Sequence, residues 1–114
     1  MESVRQSKVA KLLQKELAEL FRANSKTLFN GGFITVTVVR ISTDLSSAKV
    51  YLSIMATQDV NALFNHINEQ KTHIRKLLGN AIGKQVRIIP ELHFYIDDSY
   101  DYAEKINALF NKPI

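Results

Sequence analysis

The chain has 114 residues and a formal net charge of +4, from 15 lysines and arginines against 11 aspartates and glutamates. That length suits one compact domain and leaves no room for a two-domain enzyme with a large cleft between its halves. With 46% apolar and 23% charged residues, long disorder is not expected. Without cysteine there are no disulfides, thiol nucleophiles or zinc–thiolate centres.

The opening MESVRQSKVAKLL has no apolar run or cleavage site of a secretory signal. No stretch approaches the roughly 18 apolar residues of a membrane span. The expectation is a cytoplasmic protein with no membrane partner. The net charge is unevenly distributed. Residues 71–87 hold Lys71, Arg75, Lys76, Lys84 and Arg87 and no acid, whereas residues 88–114 hold five acids against two lysines. A basic segment of this kind fits a polyanion, nucleic acid above all, or else a solvated helix face.

In chain order, Ser3 to about Ala23 reads as a helix. Val9, Leu13, Leu17, Leu20 and Phe21 recur at spacings that line one face, and Ser3 suits the N-cap. Arg5, Lys8, Lys11 and Lys15 lie on another face. Asn24 to Gly32 is a breaker region. Phe33 to Ile41 is rich in β-branched residues and reads as a strand, with Ile34, Val36 and Val38 on one face and Thr35 and Thr37 opposite. Ser42 to Ser46 is a polar turn. Ala48, Val50, Leu52 and Ile54 then alternate with Lys49, Tyr51, Ser53 and Met55, a half-buried strand paired antiparallel with the first.

From Gln58 or Asp59, helical spacing runs through Val60, Leu63, Phe64, Ile67, Ile74, Leu77, Leu78 and Ala81. It describes either one long helix or two helices kinked at Gln70-Lys71-Thr72. A third strand is expected within Lys84–Asp97 on the alternation of Val86, Ile88, Leu92, Phe94 and Ile96. Pro90 then belongs at an edge, a bend or the strand start. Asp98-Ser99 can cap a short last helix carrying Ala103, Ile106, Leu109 and Phe110. The fold class is α+β: a small sheet with helices on one face.

Signs of catalysis are sparse. There is no P-loop, no Rossmann glycine pattern and no G-x-S-x-G. His66 and His73 lie seven apart, whereas a metal pair on a helix more often uses three or four. Asp97, Asp98, Asp101 and Glu104 fit the start of a helix better than a metal or acid–base pair. No catalytic residue, cofactor or metal site is therefore expected. The basic run is the stronger signal, with Lys71, Arg75 and Lys76 on a helix and Lys84 and Arg87 beyond it. A helix starting just after Thr72 would add free N–H groups for phosphate.

Arg5-Gln-Ser-Lys8-Val9-Ala10, Gln14-Lys15-Glu16-Leu17, Ser42-Thr-Asp44-Leu45, Ala48-Lys49-Val50-Tyr51, Ile74-Arg75-Lys76-Leu77-Leu78-Gly79 and Pro90-Glu91-Leu92 follow one another in this order. As an ordered set, spread over nearly the whole chain, they resemble the bacterial ribosome-binding factor A family. The resemblance implies a single KH-like domain of the second type over residues 1–114, helix-strand-strand-helix-helix-strand. It also implies a non-enzymatic factor that binds the small (30S) ribosomal subunit and its 16S ribosomal RNA during late assembly, supports maturation of the RNA 5′ end, and matters most in the cold. Adjacent ribosomal proteins and an assembly GTPase are further implied partners, and a monomer is the simplest state. Two family features are replaced. The Ala-x-Gly kink falls on Gln70, Lys71 and Thr72, and the turn before the first strand is Lys26 to Gly32. Many members carry a charged C-terminal tail, whereas this sequence stops at Ile114, so tail contacts are expected to be either absent or trimmed away.

The expected phosphate contacts are Lys71, Arg75, Lys76, Lys84 and Arg87, with Arg5, Lys8 and Lys11 as a second group. Lys49 is a structural or a contact residue. Two rivals remain at this level: a general KH-like module for single-stranded RNA, weakened by the lack of Gly-x-x-Gly, and a protein–protein adaptor.

Overall fold

The computed structural model of the chain describes residues 3–29, 31–55 and 57–97. Its elements are α1 (Val4–Ala23), α2 (Ser25–Leu28), β1 (Phe33–Ile41), β2 (Ser47–Met55), α3 (Val60–Glu69), α4 (Lys71–Ile82) and β3 (Glu91–Ile96). The sheet order is β1-β2-β3, with β1 antiparallel and β3 parallel to the central β2. This is the expected KH-like α+β arrangement, with one extra helical turn, α2, inside the former breaker region.

The N-terminus of α1 is closed by a capping box. The Ser3 hydroxyl accepts from the Gln6 backbone N–H at 3.1 Å, and the Ser3 N–H donates to Gln6 Oε1 at 2.8 Å. The same Gln6 side chain is buried and donates from Nε2 to the Ile41 carbonyl at 2.9 Å. One residue therefore both starts α1 and fastens it to the last residue of β1. Along α1, Ala10, Leu13, Leu17 and Phe21 are buried at spacings of three and four, while Val9 and Leu20 pack at the margins. Each large side chain removed from water contributes about 1.5–3 kcal/mol.

The core lies between α1, α3 and α4 and one sheet face, where Ile34, Val36, Val39, Ile41, Ala48, Val50, Leu52, Leu92 and Phe94 are buried. Phe21 sits at its centre, 5.2 Å from Phe29 and 6.2 Å from Phe94 between ring centroids. His66 bonds from Nε2 to the Leu28 carbonyl at 2.7 Å, tying α3 to α2, so this histidine has a structural task. At Gly32 an added Cβ would run into the end of the Leu63 side chain and come within 3.2 Å of the Phe29 carbonyl oxygen, so a larger residue in the turn before β1 would have to displace Leu63.

The face of β1 departs from strict alternation. The register shifts between Val36 and Val38, leaving Thr37 as an extra residue in a β-bulge. Beyond it Val39 and Ile41 point inward, and Val38, expected on the core face, is only half-buried. The third strand is also shorter than expected. Val86 and Ile88 lie before it in an irregular connector, Ile88 is 56% exposed, and pairing starts only after Pro90. The central helical run is two helices. Gln70, with φ −90° and ψ 8°, interrupts it while its N–H still reaches the His66 and Ile67 carbonyls at 3.0 and 3.1 Å. The last helix, together with Asp98, Asp101, Glu104, Tyr100 and Tyr102, falls outside the described residues.

Candidate nucleic-acid interface

Helix α4 buries Ile74, Leu78 and Ile82, so the residues between them must face outward. It begins at Lys71 rather than after Thr72, because the break falls at Gln70. Lys71, Thr72, Arg75 and Lys76 then line an open groove of about 580 Å³, whose other wall is Ile89, Glu91 and Leu92 on the approach to β3. Three cations face one carboxylate across it.

Arg75 is partly committed within the fold. Its Nη2 donates to the Ile89 carbonyl at 2.7 Å and its Nε to the Pro90 carbonyl at 3.2 Å. It braces the connector that leads into β3, where Pro90 supplies no N–H of its own. Its remaining N–H groups still face outward, since a guanidinium has five. Lys71 and Lys76 carry the mobile charge of this groove.

Arg87 does not join that groove. It lines a second one, of about 400 Å³, with Arg5, Lys8 and Val9 of α1, Asp44 and Leu45 of the hairpin turn, and Gln85, Val86 and Ile88 of the connector. The two expected groups of cations are thus redistributed: Arg87 stands with Arg5 and Lys8, about eighty residues away in sequence. The capping box and the Gln6–Ile41 bond set the start of α1, and so place Arg5 and Lys8 at this rim. Lys11 and Lys84 are exposed and line neither groove.

The one acid of the second groove is held by its own turn. Asp44 Oδ1 accepts from Ser46 Oγ at 2.7 Å, Ser42 Oγ at 2.7 Å and the Ser46 N–H at 3.1 Å. The Ser46 hydroxyl, then that of Ser42, draws its pKa down from 3.8 to about 2. The turn also needs Leu45 at φ 64°, a left-handed conformation uncommon for a non-glycine residue. Asp44 and Leu45 were visible only as part of a sequence motif. Nothing in the sequence placed them beside Arg5 and Arg87.

Both grooves have a cationic rim, an apolar strip and shallow depth. That suits a ribose-phosphate backbone better than an enclosed small molecule. Among the described residues no cluster of three or more metal-ligating side chains occurs, and no helix is long and apolar enough to cross a membrane.

Comparison with known proteins fits this geometry. Residues 5–110 match the family model for ribosome-binding factor A. The ribosome-binding factor A of Cytophaga hutchinsonii is 54% identical over 112 residues, spanning 98% of this chain and 84% of that protein. The crystal structure of ribosome-binding factor A from Thermus thermophilus superposes with a TM-score of 0.65 at 22% identity, over 80% of this chain and 94% of that one. A homology model of the Thermus thermophilus factor, fitted into a cryo-EM map of its 30S complex, gives a TM-score of 0.58 at 26% identity, over 76% and 89%.

Proposed function

The chain belongs to the ribosome-binding factor A family, and from that premise we propose that it docks on the small ribosomal subunit by holding 16S ribosomal RNA in its two basic grooves. The observation that carries this reading is the way in which α4, the connector and α1 bring Lys71, Arg75 and Lys76 to one groove and Arg5, Lys8 and Arg87 to the other. Each groove sets three cations against one carboxylate. Lysines and arginines on helix rims meet phosphates without reading bases, so position on the subunit comes from the shape of the RNA. A related factor captured in a 30S complex supports the same partner.

In this reading residues 1–114 form one RNA-binding domain that acts in the cytoplasm as a monomer and catalyses nothing. It holds an immature RNA conformation through backbone contacts during late assembly and leaves once the mature fold competes for the same phosphates. Maturation of the RNA 5′ end benefits indirectly, above all in the cold, where RNA rearranges slowly. Lys84 and Lys11 add diffuse charge at the margins.

Cross-linking of the native chain to isolated small subunits, with sites mapped on both partners, tests the reading. Cross-links from residues of the two grooves to ribosomal RNA are expected. Cross-links confined to ribosomal proteins would assign the chain to the adaptor class instead.

A further inference from the structure

The described helices occupy one face of the sheet, and the other face has an order of its own. On β2, Ser47, Lys49, Tyr51 and Met55 lie opposite the buried Ala48, Val50, Leu52 and Ile54, while Ser53, on the same side as Lys49 and Tyr51, is itself buried, so the accessible part of this face is the end that carries Lys49 and Tyr51. Register places Arg40 beside Lys49 and Lys49 beside His93, a row of nitrogen-bearing side chains across all three strands. The adjacent row is Val38, Tyr51 and Tyr95. The two tyrosine rings stack, with centroids 5.4 Å apart and planes 27° apart, and Tyr95 remains 42% exposed.

We propose that the part of this face bearing Arg40, Lys49, Tyr51 and Tyr95 binds single-stranded RNA, stacking a base on the Tyr51–Tyr95 pair while Lys49 and Arg40 hold the neighbouring phosphates. Cross-strand tyrosines stabilise any sheet, so the pair alone says little. What selects RNA is the cationic row immediately alongside. Aromatic platforms flanked by lysine or arginine engage single strands because every base has a stackable face and every nucleotide a charge. Neighbouring rows on one face lie about 7 Å apart along the strands. That lets one nucleotide touch both rows.

Two acids frame the patch. Glu91 stands across from Ser47, beyond the cationic row. Asp97, at the far end of β3, accepts from the Thr37 hydroxyl of the bulge at 2.6 Å. A polyanion is therefore confined to the rows between them. Glu91 also lines the first groove, but Arg40, Lys49, Tyr51 and Tyr95, which would hold the RNA here, line neither groove, so this surface stands or falls separately from them.

The test is a fluorescence anisotropy titration of a short labelled oligouridine with the full chain. Tyr95→Ala should weaken binding about 5- to 150-fold, the range for loss of one base–aromatic stack, while Tyr95→Phe should stay within about twofold. Lys49→Glu should weaken it about tenfold. The chain has no tryptophan, so quenching of tyrosine emission on binding reports stacking directly, and Tyr95→Phe should reduce it. The proposal is overturned if the native chain does not bind, or if neither Tyr95→Ala nor Lys49→Glu alters affinity. It is also overturned if Tyr95→Ala impairs subunit binding with oligonucleotide affinity unchanged, which would give this face to a protein partner. Lys71→Glu with Lys76→Glu, measured on subunits, reports on the grooves independently.

Discussion

The two grooves share a wall and differ in how they are made. The first takes its cations from a single helix, Lys71 to Lys76 of α4, and spends part of Arg75 on bracing the connector. The second is assembled from α1, the hairpin turn and the connector, and its acid is held by serines. Ile89 lines the first and Ile88 the second, so the connector has one side in each. Local charge density in a sequence thus locates the first kind of site. The second kind exists only once helix, turn and connector have packed.

The largest separation of the two should come from charge reversal. Lys71→Glu with Lys76→Glu is expected to lower small-subunit affinity at least about tenfold while leaving thermal stability within about 0.5 kcal/mol, since both side chains lie at the surface. Equilibrium sedimentation and thermal unfolding measure the two quantities. Gln6→Ala comes next and should act on the second groove alone. It removes a buried hydrogen bond and the capping box together, costing about 2 kcal/mol by chemical denaturation, and loosens Arg5 and Lys8. If it weakens RNA contacts at the first groove equally, the separation between the grooves is not real.

Arg75→Ala should cost about 1 kcal/mol, because its bonds to the Ile89 and Pro90 carbonyls are at least partly exposed to solvent. Unlike the lysine pair, it should disturb both grooves through the connector, and Arg75→Lys should not restore the forked contact. The smallest effect is that of Asp44→Asn, read as a pH dependence. The Asp44 pKa is depressed in the folded chain, so its contribution is fully present above pH 3.8 and is lost as pH falls through about 2. Native and variant stabilities should therefore differ at neutral pH and converge at the acid end, provided both remain folded there.

These differences also show where sequence periodicity stops being informative. Helix α1 and the Ser3 cap follow from spacing and residue type because they depend on contacts within a few residues, and the β1–β2 hairpin follows because a short polar turn joins two β-branched or alternating runs. Alternation puts Val38 on the face of Ile34 and Val36 because it assumes an unbroken ladder, and the extra Thr37 reverses every face after it. Val86 and Ile88 keep the alternation of a strand, but pairing with β2 begins at Glu91, after Pro90. The break at Gln70 is legible as a missing apolar residue between Ile67 and Ile74. The charge of residues 71–87 was evident. Its division between two grooves was not, because Arg87 meets Arg5 and Lys8 only through tertiary packing.

The salt dependence of small-subunit binding tests the central claim most directly. With the six groove cations each meeting a phosphate, the logarithm of the association constant should fall against the logarithm of salt concentration with a slope of about −5. Lys71→Glu with Lys76→Glu should make that slope shallower by about 1.5. Binding that is indifferent to salt, or a slope that this variant leaves unchanged, would contradict the assignment of the basic grooves to RNA.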